Sequence, residues 1–308
     1  MNNTKKKFII LTLIMMLTLT GCAKNFRDET TKKAYTENIL CQPETDEVRD
    51  VYESNKENIS TDIEKLPKCE DLGITSGGYE GLWTSIFVKP LAFLIVKLGL
   101  LLKSYGLSIM VLAVLIRLAM FPLNKKSLET SKNMQKIQPE LEKLEKKYMN
   151  KTDQASQTMK AQEMMLIYKK YNVSPFSGCL FAFLQIPIFF AFLEAINRIP
   201  VIFEETLFGF HLGVTPTEAL SNGDYYYLIL VALILVATYF SFKNINSSAM
   251  SSEQQSQMKF TTIFMIGFIG IASFSLPAGI AFYWIVSNCF TIAQNAIINK
   301  TGKKKKLK

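Results

Sequence analysis

Arg117 is the residue whose position most clearly indicates chemistry in this chain of 308 residues. It lies inside the apolar run Gly106–Leu123, about 9 Å along a helix from the end of that run. A central arginine costs about 2.5–3.5 kcal/mol on membrane-insertion scales, so a membrane protein retains one in a wet or paired setting. The one acid inside an apolar run, Glu194, is not at a matching depth. We therefore expect a hydrated groove around Arg117, with snorkelling towards lipid phosphates as the alternative.

Polar residues in two other apolar runs are placed to line such a groove. Gln185 lies at a depth comparable with that of Arg117 in the run Ser177–Ile196. The last run, Ala278–Ile298, carries polar and aromatic side chains at i, i+4, i+7 and i+11, which share one helix face. These are Trp284, Asn288, Thr291 and Asn295, with Ser287 and Gln294 beside them. Such a face equally well joins neighbouring helices, so the spacing alone leaves both interpretations open.

The composition argues against a conventional enzyme. Hydrophobic residues make up 49% of the chain, and the five cysteines form no CxxC pair. A single histidine, His211, leaves no cluster for a metal and no Ser-His-Asp set. We predict a non-enzymatic membrane protein without a cofactor or a metal.

Charge along the chain predicts the orientation of its six apolar runs. Residues 124–173 hold 11 Lys+Arg against 6 Asp+Glu, whereas 23–81 and 198–224 are net acidic. By the positive-inside rule, 124–173 and the basic tail 301–308 are cytoplasmic and the two acidic segments are external. An external start and a cytoplasmic end require an odd number of crossings. The runs are Leu82–Lys103, Gly106–Leu123, Ser177–Ile196, Tyr225–Phe242, Phe260–Leu276 and Ala278–Ile298.

Leu82–Lys103 is the run that we expect not to cross. Lys89, Pro90 and Lys97 interrupt it, and its polar side chains fall within one arc of a helical wheel. That pattern is typical of a helix lying in the membrane interface. The predicted fold is an all-α membrane protein with an interfacial helix over 82–104 and a core over 105–300 that crosses the membrane five times.

The cytoplasmic segment 124–173, here called the hairpin, shows two apolar stripes. Ile137, Leu141, Leu144 and Tyr148 recur at helical spacing around Pro139, which suits a first helical turn. Met164, Met165, Tyr168 and Tyr171 form the second stripe. Residues 150–153 provide a break. We predict an antiparallel helical hairpin, while solvated helices that merely link two spans remain the alternative.

The first residues form a processing signal. Lys5, Lys6 and Lys7 precede a short apolar stretch, and Leu19-Thr20-Gly21-Cys22 resembles a bacterial lipobox. The resemblance implies removal of residues 1–21 and lipidation of Cys22, whereas an ordinary signal peptide or an uncleaved anchor is the alternative. Residues 22–81, here called the leader, are polar and predicted to be poorly ordered. Their spacing permits a disulfide between Cys41 and Cys69 without establishing one.

Three motifs in order resemble the YidC/Oxa membrane protein insertase family. They comprise Val114-Leu115-Ile116-Arg117 with Phe121-Pro122-Leu123, then Ser177-Gly178-Cys179-Leu180 with Gln185-Ile186-Pro187, and Leu276-Pro277-Ala278-Gly279 with Tyr283-Trp284 and Ser287-Asn288. The likeness covers about 81–300. The lipobox and the lack of a large external domain resemble the Gram-positive branch of the family.

The resemblance implies insertion of nascent membrane proteins without ATP, through an inner-leaflet groove that contains Arg117. The groove residues of the family carry over to Gln185, Tyr283, Trp284 and Asn288. Ser241 stands where the family often has Gln, and Phe181 where it commonly has Pro. The implied partners are the lipid bilayer, the ribosome through the basic tail and the hairpin, and the general Sec channel, with the monomer as the working unit. A polytopic transporter or channel is the alternative function.

Overall fold

The computed structural model describes residues 25–28, 34–59, 62–171, 173, 177–246 and 252–304. The predicted signal peptide, Cys22 and the last lysines of the basic tail lie outside these residues. The described chain is mostly helical, with two short antiparallel strand pairs. The strands are β1 (Asn25–Arg27) with β2 (Ala34–Thr36), and β3 (Thr206–Leu207) with β4 (Phe210–His211).

Eleven α-helices are present in the described residues. They are α1 (Asp46–Ser54), α2 (Lys89–Leu102), α3 (Tyr105–Ala119), α4 (Phe121–Tyr148), α5 (Gln154–Lys170), α6 (Ser177–Asn197), α7 (Pro200–Glu204), α8 (Pro216–Ser221), α9 (Leu228–Asn246), α10 (Ser252–Ser273) and α11 (Ala278–Lys304). A π-helical turn, Thr84–Val88, precedes α2 directly.

The apolar runs and the helices do not end at the same residues. Run Gly106–Leu123 is divided, because α3 ends at Ala119 and α4 starts at Phe121, with Pro122 in its first turn. Proline fits there because the first turn of a helix has no intrahelical partner for its N–H. The prediction that a hairpin helix begins near Pro139 was wrong. Pro139 lies inside α4, which runs on to Tyr148.

Among the described residues, two helices are long and apolar enough to cross a membrane by length and composition, Thr84–Leu102 and Tyr225–Phe242. Shorter apolar helices are Tyr105–Ala119, Gln185–Asn197 and Thr262–Ser273. The first of the two long helices lies within the segment 82–104 that we expected to lie in the interface. The five crossings and the interfacial helix therefore stay predictions.

The chain divides into two compact units. The first contains Met1–Leu112, Pro187–Leu228 and Ser275–Tyr283, and the second contains Ala113–Ile186, Ile229–Phe274 and Trp284–Lys308.

In the first unit, the described residues of the leader are folded, and for them the prediction of poor order was wrong. A small core forms around Phe26, Ile39 and Tyr52, and the Tyr52 hydroxyl donates a hydrogen bond to the Thr36 carbonyl oxygen at 3.0 Å. Burial is the largest cause that raises the pKa of Tyr52. A disulfide joins Cys41 to Cys69, and both cysteines are buried. The composition of the leader gave the wrong prediction because a disulfide stabilises a segment that has few apolar residues of its own.

We expect loss of this disulfide to destabilise the leader. The two cysteines are 28 residues apart, and closing a loop of that length in the unfolded chain corresponds to about 3–4 kcal/mol. Replacing both cysteines with alanine should therefore speed tryptic cleavage within the leader and leave cleavage in the hairpin unchanged. Equal cleavage of the leader in the wild-type and variant proteins would contradict the prediction.

A network of charged side chains connects the leader to α2 and α6 within the first unit. The Arg198 guanidinium contacts Glu80 at 2.5 Å and Glu194 at 3.5 Å, and its Nε donates to the Asn38 carbonyl oxygen at 2.6 Å. Lys89 Nζ lies 2.9 Å from the Glu80 carboxylate. Burial acts to raise the pKa of Glu80, but its ion pairs with Lys89 and Arg198 outweigh burial and hold that pKa below its ordinary value.

The lysines of α2 point to the leader. Lys89 is only 3% exposed and also donates to the carbonyl oxygens of Ser76 and Gly78, at 2.7 and 2.6 Å. Lys97 donates to the Glu70 carbonyl oxygen at 2.7 Å. Leader carbonyl groups thus cover Lys89, whereas Lys97 stays exposed and donates one hydrogen bond to the leader.

In the second unit, α4 and α5 pack together to form the hairpin, with residues 149–153 between them. Ile137, Leu141 and Val173 form its core, with Met164 and Tyr168 packed against them. Lys147 pairs with Glu163 at 2.7 Å, and Lys170 pairs with Glu140 at 3.0 Å. The later position on α4, Lys147, pairs with the earlier position on α5, Glu163, so the two helices run antiparallel. Met165 and Leu166 are exposed on the outer face of α5.

Candidate functional site

Arg117 is buried in the second unit and bonded to the last helix. Its side chain is 7% exposed, and Nε donates a hydrogen bond to Ser287 Oγ at 2.6 Å. Arg117 lies on α3 near the end of the helix, and Ser287 lies on α11, 170 residues further along the chain. A hydrogen bond to a guanidinium is stronger than one between neutral groups. Ser287 therefore orients the cation within the apolar part of the molecule.

The polar face of α11 extends on both sides of Ser287. Trp284 Nε1 donates to Thr238 Oγ1 on α9 at 3.0 Å, and Asn288 Nδ2 donates to the Trp284 carbonyl oxygen at 2.9 Å. Thr291 Oγ1 donates to the Ser287 carbonyl oxygen at 2.9 Å. Because residues three and four apart share a helix face, these side chains form one polar ladder along α11. Part of the ladder holds helices together, as the contact with Thr238 shows.

The polar ladder continues towards the end of α11 with an amide pair. Asn124 Nδ2, on the first turn of α4, donates to Gln294 Oε1 at 3.3 Å. Both residues are buried, with exposed fractions of 6% and 3%. Among the described residues, the other amide atoms of the pair, Asn124 Oδ1 and Gln294 Nε2, have no hydrogen-bond partner, and neither has Gln185 Oε1. Buried polar atoms without a partner are rare in proteins, so these atoms indicate a place where water or a bound chain supplies the bond.

The structure places the predicted groove residues in different surroundings. Trp284 and Asn288 belong to the polar ladder that also bonds Arg117, whereas Gln185 is half-buried and Ser241 is buried in the same unit. Tyr283 lies in the first unit, where its ring stacks on Phe192 with a centroid distance of 4.1 Å. The role of each of these residues in binding a nascent membrane protein stays a prediction.

Two residues of the site carry little signal in the sequence. Thr238 lies three residues before Ser241, which stands where the family often has Gln, and neither hydropathy nor a motif identifies Asn124. A signal for Asn124 does exist, because it follows Arg117 by seven residues and Gln294 follows Ser287 by seven. When two segments run side by side as helices, two contacts between them are expected to be separated by the same number of residues on each segment.

These features define a class of protein. The chain is helical and has several apolar segments, a buried arginine and a polar ladder that contains unpaired amide atoms among the described residues. This combination is typical of membrane proteins that admit polar groups below the membrane surface. Such a site differs from a structural helix contact, in which the buried polar groups are satisfied.

Comparison with known proteins identifies the family. The family model described as 60Kd inner membrane protein matches residues 97–306. The membrane protein insertase YidC of Oceanobacillus iheyensis is 36% identical over 74% of this chain and 87% of its own length. YidC 2 of Bacillus anthracis is 40% identical over 71% of this chain and 81% of its own. The insertase MisCA of Bacillus subtilis is 37% identical over 72% of this chain and 81% of its own length.

A solved structure shows a similar fold. A crystal structure of an active YidC insertase, with its first transmembrane domain resolved, matches with a TM-score of 0.51 at 23% identity. The match covers 71% of this chain and 48% of the solved chain, so our chain corresponds to about half of that protein. The chain belongs to the YidC/Oxa family of membrane protein insertases, and the family assignment made from its motifs is confirmed.

Proposed function

We propose that this protein inserts nascent membrane proteins into the bacterial plasma membrane without ATP. The observation that carries the proposal is Arg117, which is buried and bonded to Ser287 on the helix that also carries Gln294, whose Nε2 has no hydrogen-bond partner among the described residues. The curated relatives are named membrane protein insertases, and this chain covers most of their length. Nascent membrane proteins are therefore the proposed substrates.

In this proposal a nascent membrane protein is the client. The Arg117 cation attracts the segment of the client that must cross the membrane. At about 5 Å and an effective dielectric constant of ~20, two opposite charges attract by about 3 kcal/mol, several times more than in water. A short external segment that carries Asp or Glu would thus enter the inner-leaflet groove beside Arg117. Gln185, Trp284 and Asn288, with Ser241 and Tyr283 as further contacts, would provide polar or aromatic surface to the same segment.

The hydrophobic effect supplies most of the driving force. About twenty apolar residues of a client helix that leave water gain tens of kcal/mol, whereas carrying one charge across costs a few kcal/mol. A polar groove shortens the apolar path of the charged segment, which lowers the barrier without a fuel molecule. The client helix then enters lipid along the third and fifth predicted spans.

The test of this function is insertion by the purified protein in proteoliposomes. A nascent single-span client with an acidic external segment should become protected from protease in vesicles that contain the protein and stay accessible in empty vesicles. Counterflow of small solutes should be equal in the two kinds of vesicle. Solute uptake without client insertion would contradict the proposal and favour a transporter.

We propose five crossings, with the N-terminus external and the tail cytoplasmic. The charge distribution supports this topology, and so do the contacts of Lys89 and Lys97 with leader carbonyl groups, which suit an interfacial α2. We also propose that Cys22 carries a lipid. Labelling with radioactive palmitate should mark the wild-type protein and not Cys22→Ala.

The hairpin and the tail are the proposed contacts for the translation machinery. Six lysines from Asn299 onward and the excess of lysine in the hairpin suit an anionic partner such as ribosomal RNA. A second proposed partner is the general Sec channel, and we propose that the monomer is sufficient.

We expect the hairpin to act as a rigid body. Its helices are joined by an apolar core and by the pairs Lys147–Glu163 and Lys170–Glu140. Deleting Gln138–Tyr171 should lower insertion of a ribosome-bound client, and a flexible linker of equal charge should restore only part of it. Full restoration by the linker would mean that the hairpin is only a tether. Protease protection of the client provides the measurement.

A further inference from the structure

The amide pair Asn124–Gln294 is incompletely bonded whichever way its amides are oriented. As placed, one acceptor, Asn124 Oδ1, and one donor, Gln294 Nε2, lack partners in the part of the chain that the structure describes. If both amides are rotated by half a turn, the bond runs from Gln294 to Asn124, and the unpaired atoms become one donor and one acceptor again. In both orientations the pair therefore keeps one acceptor and one donor without a partner among the described residues.

One acceptor beside one donor is the complement of a peptide group. A backbone in extended conformation offers an N–H and a C=O at every residue, whatever its side chains. Leaving either amide atom unpaired at this burial is unfavourable, so a chain that supplies both bonds gains more than it would at an exposed surface. We propose that Asn124 and Gln294 bind the backbone of an extended client segment. This inference rests on the proposed insertase function.

The distance between the amide pair and Arg117 predicts a register. Ser287, which bonds Arg117, precedes Gln294 by seven residues on α11, or about 10 Å. An extended chain spans that length with about three residues. An acidic residue at Arg117 would therefore place the peptide group about three residues away at the amide pair, on one side of the acid only. This register separates recognition of the backbone from recognition of charge.

The test uses the wild-type protein with altered clients. A single-span client with one aspartate in its external segment is made by cell-free translation, and single backbone amides on either side of the aspartate are replaced in turn by esters. An ester lacks the N–H and has a weaker acceptor, so it removes one hydrogen bond. Insertion into proteoliposomes should fall about three- to tenfold when the ester is about three residues from the aspartate. Esters at other positions should lower insertion little.

Two variants connect the effect to the pair. In Asn124→Leu and in Gln294→Met, the all-amide client should insert about three- to tenfold less than in wild type, and the ester should have no further effect. Equal loss at every ester position, or no loss at any, would overturn the inference. So would a position-specific loss that persists unchanged in both variants. Failure of wild-type protein to insert the all-amide client would overturn the proposed function itself.

Discussion

Arg117→Ala is expected to lower insertion of a client with an acidic external segment by roughly a hundredfold, which corresponds to losing about 3 kcal/mol of attraction. A matched client with Asn and Gln in place of the acids should lose much less, because only groove hydration changes. Arg117→Lys should retain most activity towards the acidic client, since an ammonium also supplies a positive charge and hydrogen-bond donors. Insertion of the client pair into proteoliposomes, with the thermal stability of each variant, measures these differences.

Ser287→Ala is the matched variant on the other side of the bond. It removes the acceptor of Arg117 Nε and keeps the positive charge. The loss of insertion in this variant should therefore lie between the losses in Arg117→Lys and Arg117→Ala. Equal loss for acidic and neutral clients in a normally stable Arg117→Ala protein would contradict charge attraction. If the arginine were only a structural clamp, lysine would fail as badly as alanine and every variant would be less stable.

Arg198→Met is expected to reduce the free energy of unfolding by about 3–5 kcal/mol, because it leaves the buried Glu194 without its cation and removes one of the two cations that pair with Glu80. Arg198 is 2% exposed and contacts Glu80, Glu194 and a leader carbonyl group. Glu194 is itself buried and also accepts a hydrogen bond from Trp83 Nε1 at 2.9 Å. Thermal or denaturant unfolding in lipid nanodiscs provides the measurement.

Arg49→Met is the control for this prediction. Arg49 pairs with the exposed Asp46 at 3.5 Å, and an exposed pair of this kind contributes at most about 1 kcal/mol. Adding Glu194→Gln to Arg198→Met removes one uncompensated charge and keeps an acceptor for Trp83, so the double variant should regain part of the loss. Equal stability of Arg198→Met and Arg49→Met would show that the network does not stabilise the protein.

The sequence was informative wherever the signal is local. Helical periodicity places residues three, four and seven apart on one face, so the polar face of the last helix could be predicted from residue spacing alone. Apolar runs likewise mark where helices lie. They do not mark where helices end: α10 begins at Ser252, before the run Phe260–Leu276, because polar turns at a helix end have no hydropathy signal.

The leader illustrates the opposite case. Its composition is that of a poorly ordered segment, yet it is folded around Tyr52 and the Cys41–Cys69 disulfide. Sequence spacing permitted this pairing without distinguishing it from two free thiols. Whether two cysteines meet depends on the path of the chain between them, which composition does not describe.

The sequence by itself determined the family, the apolar segments, the charge bias and the position of Arg117 within an apolar run. Only the tertiary structure decided which atoms these residues contact: Ser287 for Arg117, Gln294 for Asn124, and Glu80 with Glu194 for Arg198. The reason is physical. Helix propensity and hydropathy act over one or two turns, whereas a bond between residues more than a hundred positions apart depends on how whole helices pack, and that packing has no local signature in one sequence.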